Sequence, residues 1–127
     1  MHLLSISRAK VRLGGILAFY RETRRVLQAL PGYPGLLAHD VRLRWLGTTA
    51  WTYTLWQDRQ SLLDFRNGLA HTRAMMRAGS TLAAADFWLY ACPTDYRPRG
   101  WPDIDRVLAG ESPCRELTRP ERAGEPV

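Results

Sequence analysis

Residues 37–57, LAHDVRLRWLGTTAWTYTLWQ, decide the fold. Their first half alternates: Leu37, His39, Val41, Leu43 and Trp45 fall on one face and Ala38, Asp40, Arg42 and Arg44 on the other, the period of a half-buried strand. Gly47 and the threonines after it reverse the chain. Thr49 to Gln57 then alternates again, with Thr49, Trp51, Tyr53, Leu55 and Gln57 against Ala50, Thr52, Thr54 and Trp56, and its β-branched and aromatic content suits a pleated surface. Two strands joined by so short a reversal predict an antiparallel hairpin.

Upstream of the hairpin, Tyr33-Pro34-Gly35 is a turn and Pro31-Gly32 ends a helix. That helix carries Ile16, Leu17, Phe19, Tyr20, Thr23, Val26, Leu27 and Leu30 as an apolar stripe, with Arg21, Arg24, Arg25 and Gln28 opposite. Gly14-Gly15 separates it from a first strand over His2 to Arg12. Downstream, Asp58 is an N-cap for helical sequence from Arg59 to Ala78, interrupted at Asn67-Gly68. The first piece presents Leu62, Phe65 and Leu69, and the second the edge of Thr72 and Met76. Gly79-Ser80 precedes a last strand, Thr81 to Ala91, with Phe87 and Leu89 opposite Asp86, Trp88 and Tyr90.

The order β-α-β-β-α-β predicts an α+β, ferredoxin-like domain over residues 1–91 with both helices on one face of an antiparallel sheet. The other face then exposes Trp and Tyr and needs a cover: a second subunit, the tail or a ligand. Residues 92–127, with six prolines from Pro93 onward and a short helical stretch near Asp103 to Ala109, read as a Pro-rich C-terminal extension that packs on the domain or on a partner subunit. A homodimer joined through its sheets is the expected assembly. The functional cavity is expected against this sheet, between two such sheets or between sheet and helices.

A chain of 127 residues and 14.5 kDa fits one domain. Its 46% hydrophobic content excludes intrinsic disorder. The net charge is +6, yet Lys10 is the one lysine among 18 basic residues, and residues 1–80 hold 12 basic against 4 acidic side chains. Arginine suits carboxylate, phosphate or aromatic partners. With lysines missing and no nucleic-acid reading motif, nucleic acid is not an expected partner. Cys92 and Cys114 lack a CxxC neighbour and read as two unrelated thiols. The first residues contain no signal-peptide core and no stretch approaches 18 apolar residues, so a soluble cytoplasmic protein without a membrane partner is expected.

The segment Trp51 to Met76, WTYTLWQDRQSLLDFRNGLAHTRAMM, resembles the dimeric α/β barrel superfamily of the antibiotic-biosynthesis-monooxygenase type, and within it the spheroidene-monooxygenase-like branch. The matching residues are Trp56, Asp58, Leu62, Phe65, Asn67-Gly68, Ala70-His71 and Met75-Met76, and the ending with Asp103-Ile104-Asp105 and Ser112-Pro113 also resembles that branch. The resemblance implies a ferredoxin-like domain forming a dimeric α/β barrel. It implies an oxygenase-like tailoring enzyme acting on a small hydrophobic substrate of aromatic or polyketide type, with either no cofactor or a haem. Haem-degrading relatives carry their axial histidine at the position that Met75 occupies here, whereas spheroidene-monooxygenase-like members carry theirs in the GxAH element, at His71.

His71 therefore has three readings: a surface or helix-capping residue, the axial ligand of a haem, or an acid or base that meets substrate. His39, in the first strand of the hairpin, is either structural or a second catalytic candidate, since an ordinary imidazole can shuttle a proton near neutral pH. Trp51, Tyr53 and Trp88 are either core and interface aromatics or the platform for a flat substrate. Arg42 and Arg44, with Arg8 and Arg12, are either solvated charges or the binders of an anionic group such as a carboxylate or haem propionate. In the cofactor-free scheme implied by the resemblance, the substrate rests on the aromatics, loses a proton to His39 or His71, and its carbanion meets dioxygen. A non-catalytic dimeric binding or accessory protein with the same cavity is the alternative from another class.

Overall fold

All six elements expected over residues 1–91 form, with the second helix divided at Asn67-Gly68. The computed structural model describes residues 1–118, the side chain of Ser80 excepted; the end of the Pro-rich extension, 119–127, lies outside the described residues. The elements are β1 (His2–Val11), α1 (Ile16–Ala29), β2 (Leu36–Arg44), β3 (Thr49–Trp56), α2 (Arg59–Arg66), α3 (Leu69–Thr81), β4 (Leu82–Cys92), α4 (Trp101–Leu108) and β5 (Arg115–Thr118). They build one antiparallel sheet in the order β2-β3-β1-β4-β5. The first four strands of that order make the ferredoxin-like core, and β5 extends it past β4.

Local chemistry sets the boundaries. The hairpin turns through Trp45, Leu46 and Gly47, all three in the left-handed region at φ 56°, 56° and 84°. Asp58 caps α2 by accepting a hydrogen bond from the Ser61 backbone N–H at 2.8 Å, and this bond holds its carboxyl below the usual carboxylate range. At the break between α2 and α3, the Tyr33 hydroxyl fills the space that a Cβ on Gly68 would take. Glycine is there for a close approach.

Strand alternation sorts the core into two layers. On the face under α1, α2 and α3, Leu3, Leu30, Trp56, Leu62 and Phe65 are buried together, and Trp56 stacks on Phe65 with ring centres 5.3 Å apart. On the opposite face Leu4, Ile6, Tyr53, Leu55, Tyr90 and Cys92 pack against Ile104 and Val107 of α4. The tail helix thus covers part of the aromatic face, and Trp51 and Trp88 stay half-buried beside it. Its apolar residues Trp101, Ile104, Val107 and Leu108 recur at helical spacing and all belong to this layer.

Three features depart from the sequence expectation. Cys92 and Cys114 are joined in a disulfide that ties the end of β4 to the segment leading into β5, so they are not unrelated thiols. Spacing could not show it, because α4 doubles back between them. Leu36 pairs with Trp56 and Ala38 with Leu55, so Leu37 is an extra residue at a bulge, and Leu37 and Ala38 both pack toward the α4 layer rather than alternating. The short strand β5 carries no apolar alternation, and its four residues are all exposed. Among the described residues no helix is long and apolar enough to cross a membrane.

Candidate functional site

The helices do not lie flat on the sheet. Between α1, α2, α3 and strands β1, β3 and β4 they leave a cavity of about 490 Å³, within the range of small-molecule sites. Its walls are mostly apolar, with Phe19, Val26 and Leu27 from α1, Leu30 just after it, Leu62 and Phe65 from α2, Ala74, Met75 and Ala78 from α3, and Phe87 from β4. The floor is polar. Ser5 faces Thr54 and Ser7 faces Thr52 across the β1–β3 ladder, so four hydroxyl side chains share one patch of sheet. None of the four makes a hydrogen bond to another side chain among the described residues, which leaves them to whatever occupies the cavity.

His71, in the first turn of α3, contributes to the wall. Its Nδ1 lies 3.2 Å from the Arg66 carbonyl oxygen, and its ring meets Phe65 edge-on at 5.1 Å. A carbonyl only accepts, so Nδ1 carries the proton and donates it, and Nε2 keeps its lone pair. Burial pushes the imidazole pKa down; the bond to Arg66 opposes this and the Arg66 charge adds to it. The ring is held neutral, oriented and basic at Nε2.

A charged pair also lines the cavity. Glu22 of α1 is only 5% exposed, and its Oε1 accepts from Arg77 Nη1 of α3 at 2.6 Å and from Arg25 Nη1 at 3.1 Å. Glu22 and Arg77 both line the cavity. Sequence reasoning missed this carboxylate, although a signal was present: Glu22 sits inside the apolar stripe of a helix whose other charged residues are all arginines.

The structure separates His39, Trp51, Tyr53, Trp88, Arg12, Arg42 and Arg44 from the cavity, whereas Arg8 is among the residues that line it. Trp51, Tyr53 and Trp88 point to the opposite face, where alternation must send them once Ala50, Thr52 and Thr54 face the helices. There Trp51 stacks on Trp88 at 5.6 Å, Tyr53 meets Trp101 edge-on at 4.9 Å, and the Arg8 guanidinium lies over both stacked tryptophans while pairing with Asp86 at 2.5 Å. The Tyr53 hydroxyl is pushed up by burial and by Asp40 and Asp103. Arg42 shares this face: both of its terminal nitrogens reach the Asp105 carboxylate at 3.0 Å, and it lies over Trp101 at 4.5 Å. The carboxylate expected for Arg42 is thus supplied by the chain's own tail. Arg44 is exposed near the hairpin turn, and His39 is exposed on the edge strand β2, on the helix side of the sheet but outside the cavity wall.

For a metal ion, no group of three or more His, Cys, Asp and Glu side chains stands together among the described residues. For a haem, the cavity wall offers the His71 imidazole, whose Nε2 keeps its lone pair, and Arg66 as a partner for a carboxylate; Arg77 is already paired with Glu22.

Neither a protein-family model nor a curated protein sequence matches the chain. Solved structures do. Rv0793 from Mycobacterium tuberculosis superposes with a TM-score of 0.68 at 14% identity, covering 77% of this chain and 100% of its own. A protein from Nitrosomonas europaea assigned as an antibiotic biosynthesis monooxygenase gives 0.67 at 15% identity over 76% and 94% of the two chains. SnoaB, a cofactor-independent oxygenase from Streptomyces nogalater, gives 0.59 at 12% identity over 78% and 94%. At these identities the likeness is one of fold: the chain has the architecture of the antibiotic biosynthesis monooxygenases.

Proposed function

We propose that this chain, built on the fold of those monooxygenases, is an oxygenase-like tailoring enzyme acting on a small aromatic or polyketide-type substrate in the cavity between sheet and helices. One observation carries the reading: His71 presents a neutral imidazole, its Nδ1 tied to a backbone carbonyl, at the wall of a mostly apolar cavity. That is the arrangement of a general base that takes a proton from a bound, water-poor substrate. Phe19, Phe65 and Phe87 enclose the apolar body, and the hydroxyls of Ser5, Ser7, Thr52 and Thr54 hydrogen-bond its oxygen substituents.

The chemistry balances without a cofactor. Nε2 of His71 takes a proton from an acidic C–H next to the ring, and the resulting carbanion gives its electrons to dioxygen. The hydroperoxide formed after protonation loses water and leaves a carbonyl. Dioxygen is the oxidant and the substrate its own reductant. Oxygen uptake with a panel of polycyclic phenols and ketones tests this: His71→Gln keeps substrate binding and loses roughly 10²–10⁴-fold in turnover. Unchanged turnover in that variant overturns the role, and binding without any oxygen uptake by the native chain leaves a binding protein.

The second reading is haem, favoured by the free Nε2 and by the likeness of residues 51–76 to the spheroidene-monooxygenase-like branch. His71 would then ligate the iron and Arg66 would meet a haem carboxylate, while Arg77 stays paired with Glu22. A bound haem supplies the oxygen chemistry, while the chain binds it, orients it and excludes water. Titration with haem separates the readings: a Soret shift that is lost in His71→Ala supports ligation, and an unchanged spectrum removes it.

A further inference from the structure

Three hydrogen bonds gather one end of the molecule. The Val11 N–H donates to the Thr48 carbonyl at 2.8 Å, the Arg12 N–H to the Thr81 carbonyl at 2.9 Å, and the Tyr20 hydroxyl to the Gly47 carbonyl. They bring the exit of β1, the first turns of α1, the β2–β3 turn and the α3–β4 junction together. This end exposes four large apolar side chains: Leu13 at 82%, Leu17 at 74%, Trp45 at 80% and Leu46 at 102%. Leu17 lies one turn before Tyr20, on the side of α1 that meets the hairpin turn.

The exposed charges around them have one sign, since Glu22, which follows Arg21, is buried and paired with Arg77 and Arg25. Segments 10–21, 43–50 and 77–84 contain Lys10, Arg12, Arg21, Arg44 and Arg77 and no Asp or Glu. Lys10, Arg12, Arg21 and Arg44 are exposed. The backbone adds an independent observation. Trp45 and Leu46 both hold φ near 56°, a region that costs a bulky residue energy and that hairpin turns normally give to glycine or asparagine. The strained turn holds two large apolar side chains in water.

We propose that this end docks on an anionic lipid surface, with Trp45, Leu46, Leu13 and Leu17 entering the headgroup region and Lys10, Arg12, Arg21 and Arg44 meeting lipid phosphates. Charge selects the occupant. A second copy docked through the same patch would oppose cation to cation. A nucleic acid matches the arginines but offers only phosphate and sugar to four apolar side chains at the centre. An anionic bilayer satisfies both parts, and tryptophan is suited to the interface by its apolar ring and polar N–H.

Sedimentation of the full chain with vesicles of phosphatidylcholine alone, and of phosphatidylcholine mixed with phosphatidylglycerol, tests this. The chain is expected to sediment with the mixed vesicles, with a blue shift in tryptophan emission that shrinks in Trp45→Phe. Trp45→Ser with Leu46→Ser should abolish binding while leaving the thermal melt in place, since neither side chain is in the core. Arg12→Gln and Arg44→Gln should each weaken binding about fivefold, the effect of one cation near a charged surface. Equal sedimentation with both vesicle types, or with neither, overturns the proposal. So does tighter binding of a DNA duplex that survives the Trp45→Ser, Leu46→Ser change, or a change of oligomeric state produced by it.

Discussion

The imidazole of His71 is tuned by two neighbours that the sequence places five and six residues before it, Arg66 and Phe65. The Arg66 carbonyl fixes the tautomer and the Phe65 ring removes water from one side. Because burial is the largest influence, the folded chain prefers the neutral ring and the pKa lies below the ordinary 6.5. The sign follows: this group's contribution to stability is present above pH 6.5 and is lost as pH falls through the lower folded value. Turnover that depends on neutral His71 should therefore hold below pH 6.5 and fall only on the further acid side, and His71→Gln should remove that acid limb from the pH–rate profile. Gly68 belongs to the same arrangement. A Cβ there would overlap the Tyr33 hydroxyl, so Gly68→Ala should push Tyr33 off Phe65, move the start of α3, and cost about 1–3 kcal/mol of stability by denaturant melts as well as turnover. The GxAH element was legible in the sequence, but its facing was not: helical phase from Leu62 loses meaning at Gly68, whose reason for being glycine lies 35 residues away at Tyr33. Glu22 differs: its place inside the apolar stripe of α1 is a local signal, but the cation that pairs it, Arg77, arrives only from α3.

Among the elements, α4 has the largest consequence for its length. Ile104 and Val107 are buried by it against the sheet, each contributing about 1.5–3 kcal/mol, and the disulfide closing the loop from Cys92 to Cys114 adds about 3 kcal/mol by restricting the unfolded chain. Arg42 clamps the outer side of the helix through Asp105 and stacks over Trp101. A chain ending at Ala91 should accordingly melt far lower or fail to fold, because Leu4, Ile6, Tyr53 and Leu55 would lose their cover. Reduction of the disulfide should be milder: a lower melting temperature with the near-ultraviolet signal of Trp101 retained, since the packing of α4 does not pass through the sulfurs. An unchanged melt on reduction would show that the disulfide adds nothing to a helix already held by its apolar face. The periodicities of 2 and 3.6 residues made β1 to β4, α1 and α2 readable because each has one apolar face, whereas the facing of α3 differs from the expectation: Leu69, Thr72 and Met76 are exposed, and His71, Ala74, Met75 and Ala78 line the cavity instead. The bulge at Leu37 and the all-exposed β5 were not readable, since both are set by hydrogen bonding to a neighbouring strand and not by the side chains the strand itself carries.

At the level of the whole molecule, the same sheet serves two layers of different kind: a cavity lined by hydroxyls and phenylalanines under the helices, and a ladder of tryptophan and arginine under α4. The aromatic ladder looked like a substrate platform in the sequence because strand alternation says which residues share a face but not which face the helices leave hollow. The α4 helix covers only part of that ladder: Trp51, Trp88 and Arg8 beside it remain half-buried. A single chain of 14.5 kDa has few layers of core, and a flat, stacked aromatic pair on a sheet is the kind of surface that a second copy buries well. The chain is therefore expected to be a homodimer in which the sheets meet around Trp51 and Trp88, leaving the basic apolar end at the β2–β3 turn free. Light scattering at micromolar concentration should give the mass of two chains. Trp88→Glu should return the mass of one chain, because a carboxylate at the centre of the contact would be buried beside Asp86, whose charge Arg8 already neutralises. A native mass of one chain, or a Trp88→Glu variant that stays dimeric, would move the contact away from this face.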